Sequence, residues 1–205
     1  GISVDLKNIG YAYINLQEYK KSEESYKQSL QVADEISYLV VQNDARGGLA
    51  LNYLFQNDLA NARATIEAAL AYDVPKNNHN VSALHGIIAL RQGDEVAALG
   101  AFLRAIGQVD EILSKTAEYY SALDAKGLAL CGLALCARDD GRRTMDDGQS
   151  SMVYRQQAIE TFQKARKIAP HAGVVKSVLR LFDELAKCEG GEILKDVRKA
   201  VEGVE

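Results

Sequence analysis

The residues of this chain that could do chemistry are three histidines and three cysteines. They are His79, His85, His171, Cys131, Cys136 and Cys188. A metal site or a histidine base needs such residues at fixed spacing, as in HExxH or paired CxxC motifs, and neither pattern occurs. Cys131 and Cys136 lie five residues apart and do not share a helix face, so we expect buried, reduced thiols. His85 precedes a small residue within a helical pattern and is expected to pack or to line a groove.

Motifs that bind phosphate groups or carry a catalytic nucleophile are also absent from the sequence. The chain contains no GxxxxGK[ST], GxGxxG or GxSxG motif, so the sequence does not indicate a nucleotide-binding site or the nucleophile of a serine hydrolase. Two aspartate pairs, Asp139-Asp140 and Asp146-Asp147, flank Arg142-Arg143, but their spacing does not fit a calcium-binding EF-hand. We therefore predict no catalytic residues, no metal and no cofactor.

Composition favours an all-α protein. Of 205 residues, 47% are hydrophobic and 25% charged, and only two are proline, so few helix breakers are present. The net charge of −4 predicts neither nucleic acid nor an anionic membrane as a partner. No signal peptide or membrane-spanning run is visible, which favours a cytoplasmic protein. Because the chain begins inside a helical pattern, we expect the native protein to continue upstream.

A repeat is visible in the order of small and large residues. Small residues lie twelve positions apart in three segments: Gly10 and Ser22, Ala50 and Ala62, Gly86 and Ala98. Four residues after the second small residue stand the large ones, Tyr26, Ile66 and Phe102. Antiparallel helices approach closely only where small side chains admit large ones opposite. The pattern therefore predicts stacked helix pairs.

A fourth unit ends in Ala158, Phe162, Ala165 and Pro170. Its first helix is predicted at residues 123–137, with Gly132 at the small position. The spacing from Gly132 to Ala158 implies an insertion of roughly fourteen residues. Residues 139–152, rich in Asp, Gly and Ser, are predicted to form this inserted loop.

These residues resemble the tetratricopeptide repeat over residues 3–170. The resemblance implies a right-handed α-solenoid with units at residues 3–40, 43–76, 79–118 and 121–170. Second helices are expected to be longer than standard, extended by residues 31–42 and 108–120. Long-helix repeats of this kind, and above all the run at residues 122–135, are similar to the C-terminal sensor arrays of bacterial STAND-class signalling ATPases.

Residues 171–205 keep a helical period but lose the repeat signature. An apolar stripe consists of Val175, Val178, Leu179, Phe182 and Leu185. Since the last repeat of a solenoid must cover its apolar face, these residues are predicted to form capping helices. No such cap is visible at the N-terminal end, where Val4, Leu6 and Ile9 would face a missing neighbour.

The resemblance also implies a binding surface, because first helices line the concave face of such arrays. The implied residues are Val4, Lys7, Tyr11, Ile14 and Asn15 in unit one; Leu51, Leu54 and Phe55 in unit two; and Ala83, Ile87, Leu90 and Arg91 in unit three. An apolar and aromatic groove with cations suits an amphipathic helix or extended peptide. The alternative is that Leu51, Leu54 and Ile87 pack within the solenoid. The carboxylate clamp of tetratricopeptide cochaperones is absent, since Lys7 is followed by Tyr11 where that clamp has asparagine.

The prediction is a non-catalytic module that binds a protein or peptide, within a larger bacterial signalling protein. The alternative is a free-standing scaffold with a homotypic contact through the uncapped N-terminal end.

Overall fold

The computed structural model describes residues 1–137 and 150–203, and the described part is helical throughout. The first eight helices are α1 (Ile2–Asn15), α2 (Tyr19–Glu35), α3 (Leu39–Phe55), α4 (Leu59–Leu70), α5 (Asn78–Arg91), α6 (Glu95–Lys115), α7 (Tyr120–Cys136) and α8 (Ser151–Ile168). They are followed by α9 (Ala172–Ala186), a 3-10 helix (Gly191–Leu194) and α10 (Lys195–Glu202). Consecutive helices pair antiparallel and stack, so the all-α, repeat-type solenoid predicted from the sequence is confirmed.

The small and large positions interlock as the repeat pattern predicts. A Cβ on Gly10 of α1 would lie 3.1 Å from the ring of Tyr26, and one on Gly48 of α3 would lie 2.4 Å from it. The Tyr26 side chain of α2 therefore packs between α1 and α3, the first helices of two successive units. The serine at the small position of α2, Ser22, donates a 2.9 Å hydrogen bond to the Gly10 carbonyl, which satisfies its hydroxyl inside the close contact.

The fourth unit is built in a different register from the prediction. Gly132 of α7 faces Phe102 of the preceding unit, where its Cβ would lie 2.1 Å from the ring. The ring of Phe162 in α8 instead faces Gly127, at 2.6 Å. The insertion is therefore longer than the spacing from Gly132 implies, because α8 pairs with a point on α7 nearer its N-terminus.

Four helix ends share one turn geometry. Gln17, Ser37, Asn57 and Gly93 each have a positive φ, between 52° and 77°, and the next residue's N–H donates back to a carbonyl five positions earlier. This is the left-handed helix C-terminus that satisfies the last carbonyls. At Ser37 it ends α2, so the predicted extension of that helix through residue 42 is wrong. The extra length belongs instead to α3, which begins at Leu39.

Two clusters of buried residues form the core. The larger runs from α3 to α10, and the smaller consists of Ile14, Tyr26, Ala45 and Leu49 at the N-terminal end. Helices α5 and α7 are buried along most of their length because helices pack on both of their sides. The smaller cluster thus joins the first repeat to α3 of the second.

The C-terminal segment divides into two parts. Helix α10 packs against α8, and Arg155 of α8 holds it through the Ile193 carbonyl and Asp196, both at 3.0 Å. Helix α9 turns back and lies against α5 and α7. The two predicted capping helices therefore lie on different parts of the solenoid.

The predicted inserted loop lies almost wholly outside the described residues. Its last two positions, Ser151 and Met152, belong to α8. Within the described ranges, no helix combines the length and apolarity needed to cross a membrane.

Candidate binding channel

The described part of the solenoid contains a cavity of about 930 Å³. Its walls come from the first helix of each of the four units and from α9. Apolar side chains form its floor: Leu51, Val81, Leu84, Ile87, Leu128, Val174, Val178 and Leu181. Polar side chains also line it: Lys7, Asn15, Asp44, Asn77, Asn80, Asp124 and His171. A concave apolar site with a few polar groups is the usual form of a ligand-binding site.

Of the predicted residues of unit one, Lys7, Tyr11 and Asn15 line this cavity. Ile14 is instead buried in the smaller core cluster, and Val4 does not border the cavity. Lys7 forms a 3.0 Å ion pair with Asp44 of α3. Tyr11 is 44% exposed, and its hydroxyl lies 3.0 Å from the Ser177 hydroxyl of α9. Asn15 is exposed at the end of α1. A partner that enters the channel would therefore meet these three side chains.

The predicted residues of units two and three differ in accessibility. Leu51 is half-buried in the cavity wall. Phe55 is half-buried beneath the Arg180 guanidinium, whose carbon is 3.8 Å from the ring centre. Ile87 borders the cavity but has 0% exposure and belongs to the larger core cluster, so it packs within the solenoid, as the alternative interpretation held, and offers a partner no surface. Arg91 is largely covered by an ion pair with Glu184 of α9.

Sequence reasoning did not find the role of α9 at this site. Three residues of α9 contact the three predicted groove residues Tyr11, Phe55 and Arg91; they are Ser177, Arg180 and Glu184. In the sequence these three belong to the polar face of a helix whose apolar stripe predicts a cap. Their spacing of three and four residues was the available signal, since it places them on one edge of α9.

An asparagine network joins three inner helices at one end of the channel. The Asn77 amide donates to Asn43 at 2.7 Å and to Asp44 at 3.0 Å. Asn80 donates to Asn77 at 3.1 Å, and Lys7 completes the network through Asp44. The asparagine-rich run at residues 77–80 was the sequence signal for it. These hydrogen bonds fix α1, α3 and the start of α5 relative to one another.

A buried ion pair lies at the part of the channel wall that α7 forms. Asp124 of α7 pairs with Arg166 of α8, and both side chains are less than one-tenth exposed. Burial raises the pKa of Asp124 to about 6, although the Arg166 charge acts in the opposite direction. The pair joins the two helices of the fourth unit directly at the channel wall.

The histidines and cysteines are mostly buried. His79 has no exposed surface and neither ring nitrogen has a hydrogen-bond partner; burial lowers its pKa to about 4. His85 is also buried, and burial lowers its pKa, with Arg63 and Arg104 adding to the effect. Cys131 and Cys136 are buried and Cys188 is half-buried. Over residues 1–137 and 150–203, no group of three or more His, Cys, Asp or Glu residues is placed to hold a metal ion.

One comparison, with models of protein families, finds a helical repeat in the first unit. A family model described as tetratricopeptide repeat matches residues 8–35, which cover most of the first helical pair. No curated protein matches the chain. One similar solved structure is entitled "Crystal structure of MamA protein"; it is 16% identical, with a TM-score of 0.43, and the alignment covers 98% of this chain and 87% of that one. The match to the tetratricopeptide model lies in the first of the helix pairs that the structure stacks into a solenoid.

Proposed function

We propose that this chain is a non-catalytic module that binds a protein segment or peptide in its concave channel. The observation that carries the proposal is the cavity of about 930 Å³, which has an apolar floor and polar groups supplied by four successive repeats. Burial of apolar partner side chains on that floor supplies affinity. Lys7, Tyr11 and Asn15 offer a charge and hydrogen bonds that fix the partner's register.

The test uses peptides selected on the immobilised full chain from a random display library and then synthesised. Tyr11→Ala and Leu51→Ala should each weaken such a peptide by about 1–3 kcal/mol, as truncation of an interface residue does. Leu103→Ala is the control, because Leu103 is 47% exposed on α6, which does not line the channel. Unchanged affinity in both channel variants, with the melting temperature preserved, would place the binding site elsewhere.

A finer part of the proposal is the setting of the module, the sensor or interaction region of a larger bacterial signalling protein. Its support is the similarity of residues 122–135, now within α7, to the sensor arrays of STAND-class ATPases. The native sequence upstream of Ser3 tests it. A nucleotide-binding domain there agrees with the proposal, whereas a capping helix directly after the start methionine contradicts it.

A second candidate function is a scaffold that associates with copies of itself. The supporting observation is an exposed apolar stripe along α1 and its C-cap residue Leu16. Its members Ile2, Ile9 and Leu16 are 70%, 44% and 69% exposed. Their spacing of seven residues places them on one face of the helix. Sedimentation velocity over a concentration series tests this candidate. Ile9→Lys with Leu16→Lys should abolish any concentration-dependent association that the unmodified chain shows.

A further inference from the structure

The edge of α9 that faces the first repeats carries three polar side chains. The Ser177 hydroxyl lies 3.0 Å from the Tyr11 hydroxyl, Arg180 stacks on Phe55, and Glu184 pairs with Arg91. Tyr11, Phe55 and Arg91 come from α1, α3 and α5, the first helices of three successive repeats. One edge of a single helix therefore spans three repeats of the concave surface.

Arg180 makes the most specific of these contacts. Its guanidinium donates to the Ile14 carbonyl at 3.0 Å and to the Tyr19 hydroxyl at 3.3 Å while it stacks on the Phe55 ring. The Ile14 carbonyl lies in the last turn of α1, where it also accepts a hydrogen bond from the Gln17 N–H at 3.0 Å, so Arg180 is a second donor to it. A planar guanidinium can stack and donate at the same time, whereas a lysine ammonium cannot. The surface is thus selective for arginine at this point.

Glu184 supplies the complementary charge four residues later. Arg91 pairs with Glu184 and also donates to Asn57 at 2.6 Å. The Glu184 side chain is 4% exposed and that of Arg91 is 13% exposed, so the pair is largely shielded from solvent. An unpaired charge at this position would be costly, and any occupant of the surface must therefore bring an acidic group to Arg91.

Helix α9 contacts α1 and α3 through polar side chains, whereas its apolar stripe packs in the main core. The apolar stripe of α9, with Val178, Phe182 and Leu185, belongs to the larger core cluster. The first repeat is centred on the separate small cluster around Ile14 and Tyr26. Leu51 and Tyr53 of α3 pack against both clusters, and the polar contacts of α9 lie beside the cavity of about 930 Å³.

We propose that the surface formed by Tyr11, Phe55 and Arg91 is a receptor for an amphipathic helix that carries an arginine and, four residues later, a glutamate. Helix α9 is its intramolecular occupant, and a partner helix with the same pair enters by replacing the edge of α9. The inference rests on the proposed function and adds the chemical identity of the partner. The surface exchanges between a closed form, in which α9 occupies it, and an open form, in which it is free. A partner helix favours the open form only if it binds that form more tightly, and its arginine–glutamate pair provides the contacts for this.

The experiment offers the full chain a labelled synthetic peptide of residues 171–187, blocked at both ends, and measures fluorescence anisotropy. In the variant Arg180→Ala/Glu184→Ala the receptor surface is intact but its own occupant lacks the pair. This variant should bind the peptide at least about tenfold more tightly than the unmodified chain. A peptide with the same two substitutions should bind at least about tenfold more weakly, and so should the variant that also carries Phe55→Ala.

Arg198→Ala is the matched control. Arg198 also lies over an aromatic ring and forms ion pairs, but with Phe182, Asp183 and Glu202 inside the C-terminal segment. Its loss should leave peptide binding at the level of the unmodified chain. If circular dichroism shows that the double variant does not fold, Arg180→Ala alone takes its place, because that change keeps Glu184 paired with Arg91.

A folded variant that binds the peptide no better than the unmodified chain would overturn the inference, and so would equal binding of both peptides. Library-selected peptides that bind at Tyr11 and Leu51 while the α9 peptide fails would leave the proposed function intact and reject only the arginine–glutamate pattern.

Discussion

Gly132 and Gly100 are both helical glycines, yet the structure predicts that substitution by alanine has opposite effects at the two positions. Gly132 lies in α7, where an added Cβ would be 2.1 Å from the Phe102 ring. The ring cannot retreat, because Gly86 of α5 closes its other side, where a Cβ would lie 2.4 Å away. A Cβ on Gly100 of α6 would have no atom within 4 Å.

The magnitudes follow from two effects. Alanine in place of glycine inside a helix stabilises by about 0.5–1 kcal/mol, because it restricts the unfolded backbone and has the higher helix propensity. Gly100→Ala should gain this amount. At Gly132 the same gain is opposed by overpacking against Phe102, which costs about 1–3 kcal/mol. We therefore expect Gly132→Ala to lose about 1–2 kcal/mol, so that the free energies of unfolding of the two variants differ by about 1.5–3 kcal/mol.

Urea unfolding followed by circular dichroism and by tyrosine fluorescence measures both variants, and coincidence of the two transitions tests for two-state behaviour. Combining Gly132→Ala with Phe102→Leu adds a check, because a smaller side chain makes room for the new methyl group. The double variant should then lose less stability than the sum of the two single losses. If Gly132→Ala stabilises the chain as much as Gly100→Ala, the close approach of α6 and α7 at Phe102 is refuted.

Three further predictions concern the same scaffold. Phe162→Ala should cost about 3–5 kcal/mol by urea unfolding, because its fully buried ring fills the contact with α7; a loss below about 1 kcal/mol would contradict that packing. Gln17→Gly should stabilise by about 0.5–1 kcal/mol by relieving a left-handed backbone at φ 61°, whereas Gln28→Gly, on the exposed face of α2, should destabilise by a similar amount. Burial lowers the pKa of His79 to about 4, so the unfolded chain, in which the histidine pKa is about 6.5, binds the proton at a higher pH than the folded chain does. The free energy of unfolding should therefore fall by about 3 kcal/mol in all as the pH falls from about 6.5 to 4. His79→Leu should flatten this part of the stability profile, and the same change at exposed His171 should not.

The sequence predicted the helix pairing because the repeat signature is itself a packing rule. Gly10 and Gly86 are small where Tyr26 and Phe102 are large, and the structure brings each pair into contact. A spacing of twelve residues is enough to predict that two antiparallel helices approach at those points. It does not reveal that the same rings also pass between neighbouring inner helices, because that contact depends on how one repeat stacks on the next.

Helix ends were harder to predict than helix pairs. Gln17, Ser37 and Asn57 adopt the left-handed conformation that ends a helix, yet Gln and Ser are not the glycine or proline by which a terminus is usually recognised. Tertiary packing imposes the turn at these positions and outweighs the local preference. At Ser37 the absence of a sequence signal led to the prediction of a continuous helix through residue 42, where the chain in fact turns and begins α3.

The position of α9 depends on how its polar edge fits the surface of the first three repeats, and the spacing of apolar residues along α9 does not predict that fit. Its apolar stripe predicts that one side is buried, and both a terminal cap and a helix in the channel satisfy that condition. The polar edge beside the stripe selects the channel. There Ser177 contacts the Tyr11 hydroxyl, Arg180 contacts the Phe55 ring and the Ile14 carbonyl, and Glu184 contacts the Arg91 guanidinium. At the end of the solenoid the same edge would face solvent, where charged residues stabilise little. These three partners lie between 93 and 166 residues away in sequence, so complementarity of surfaces, and not any local pattern, determines where α9 docks.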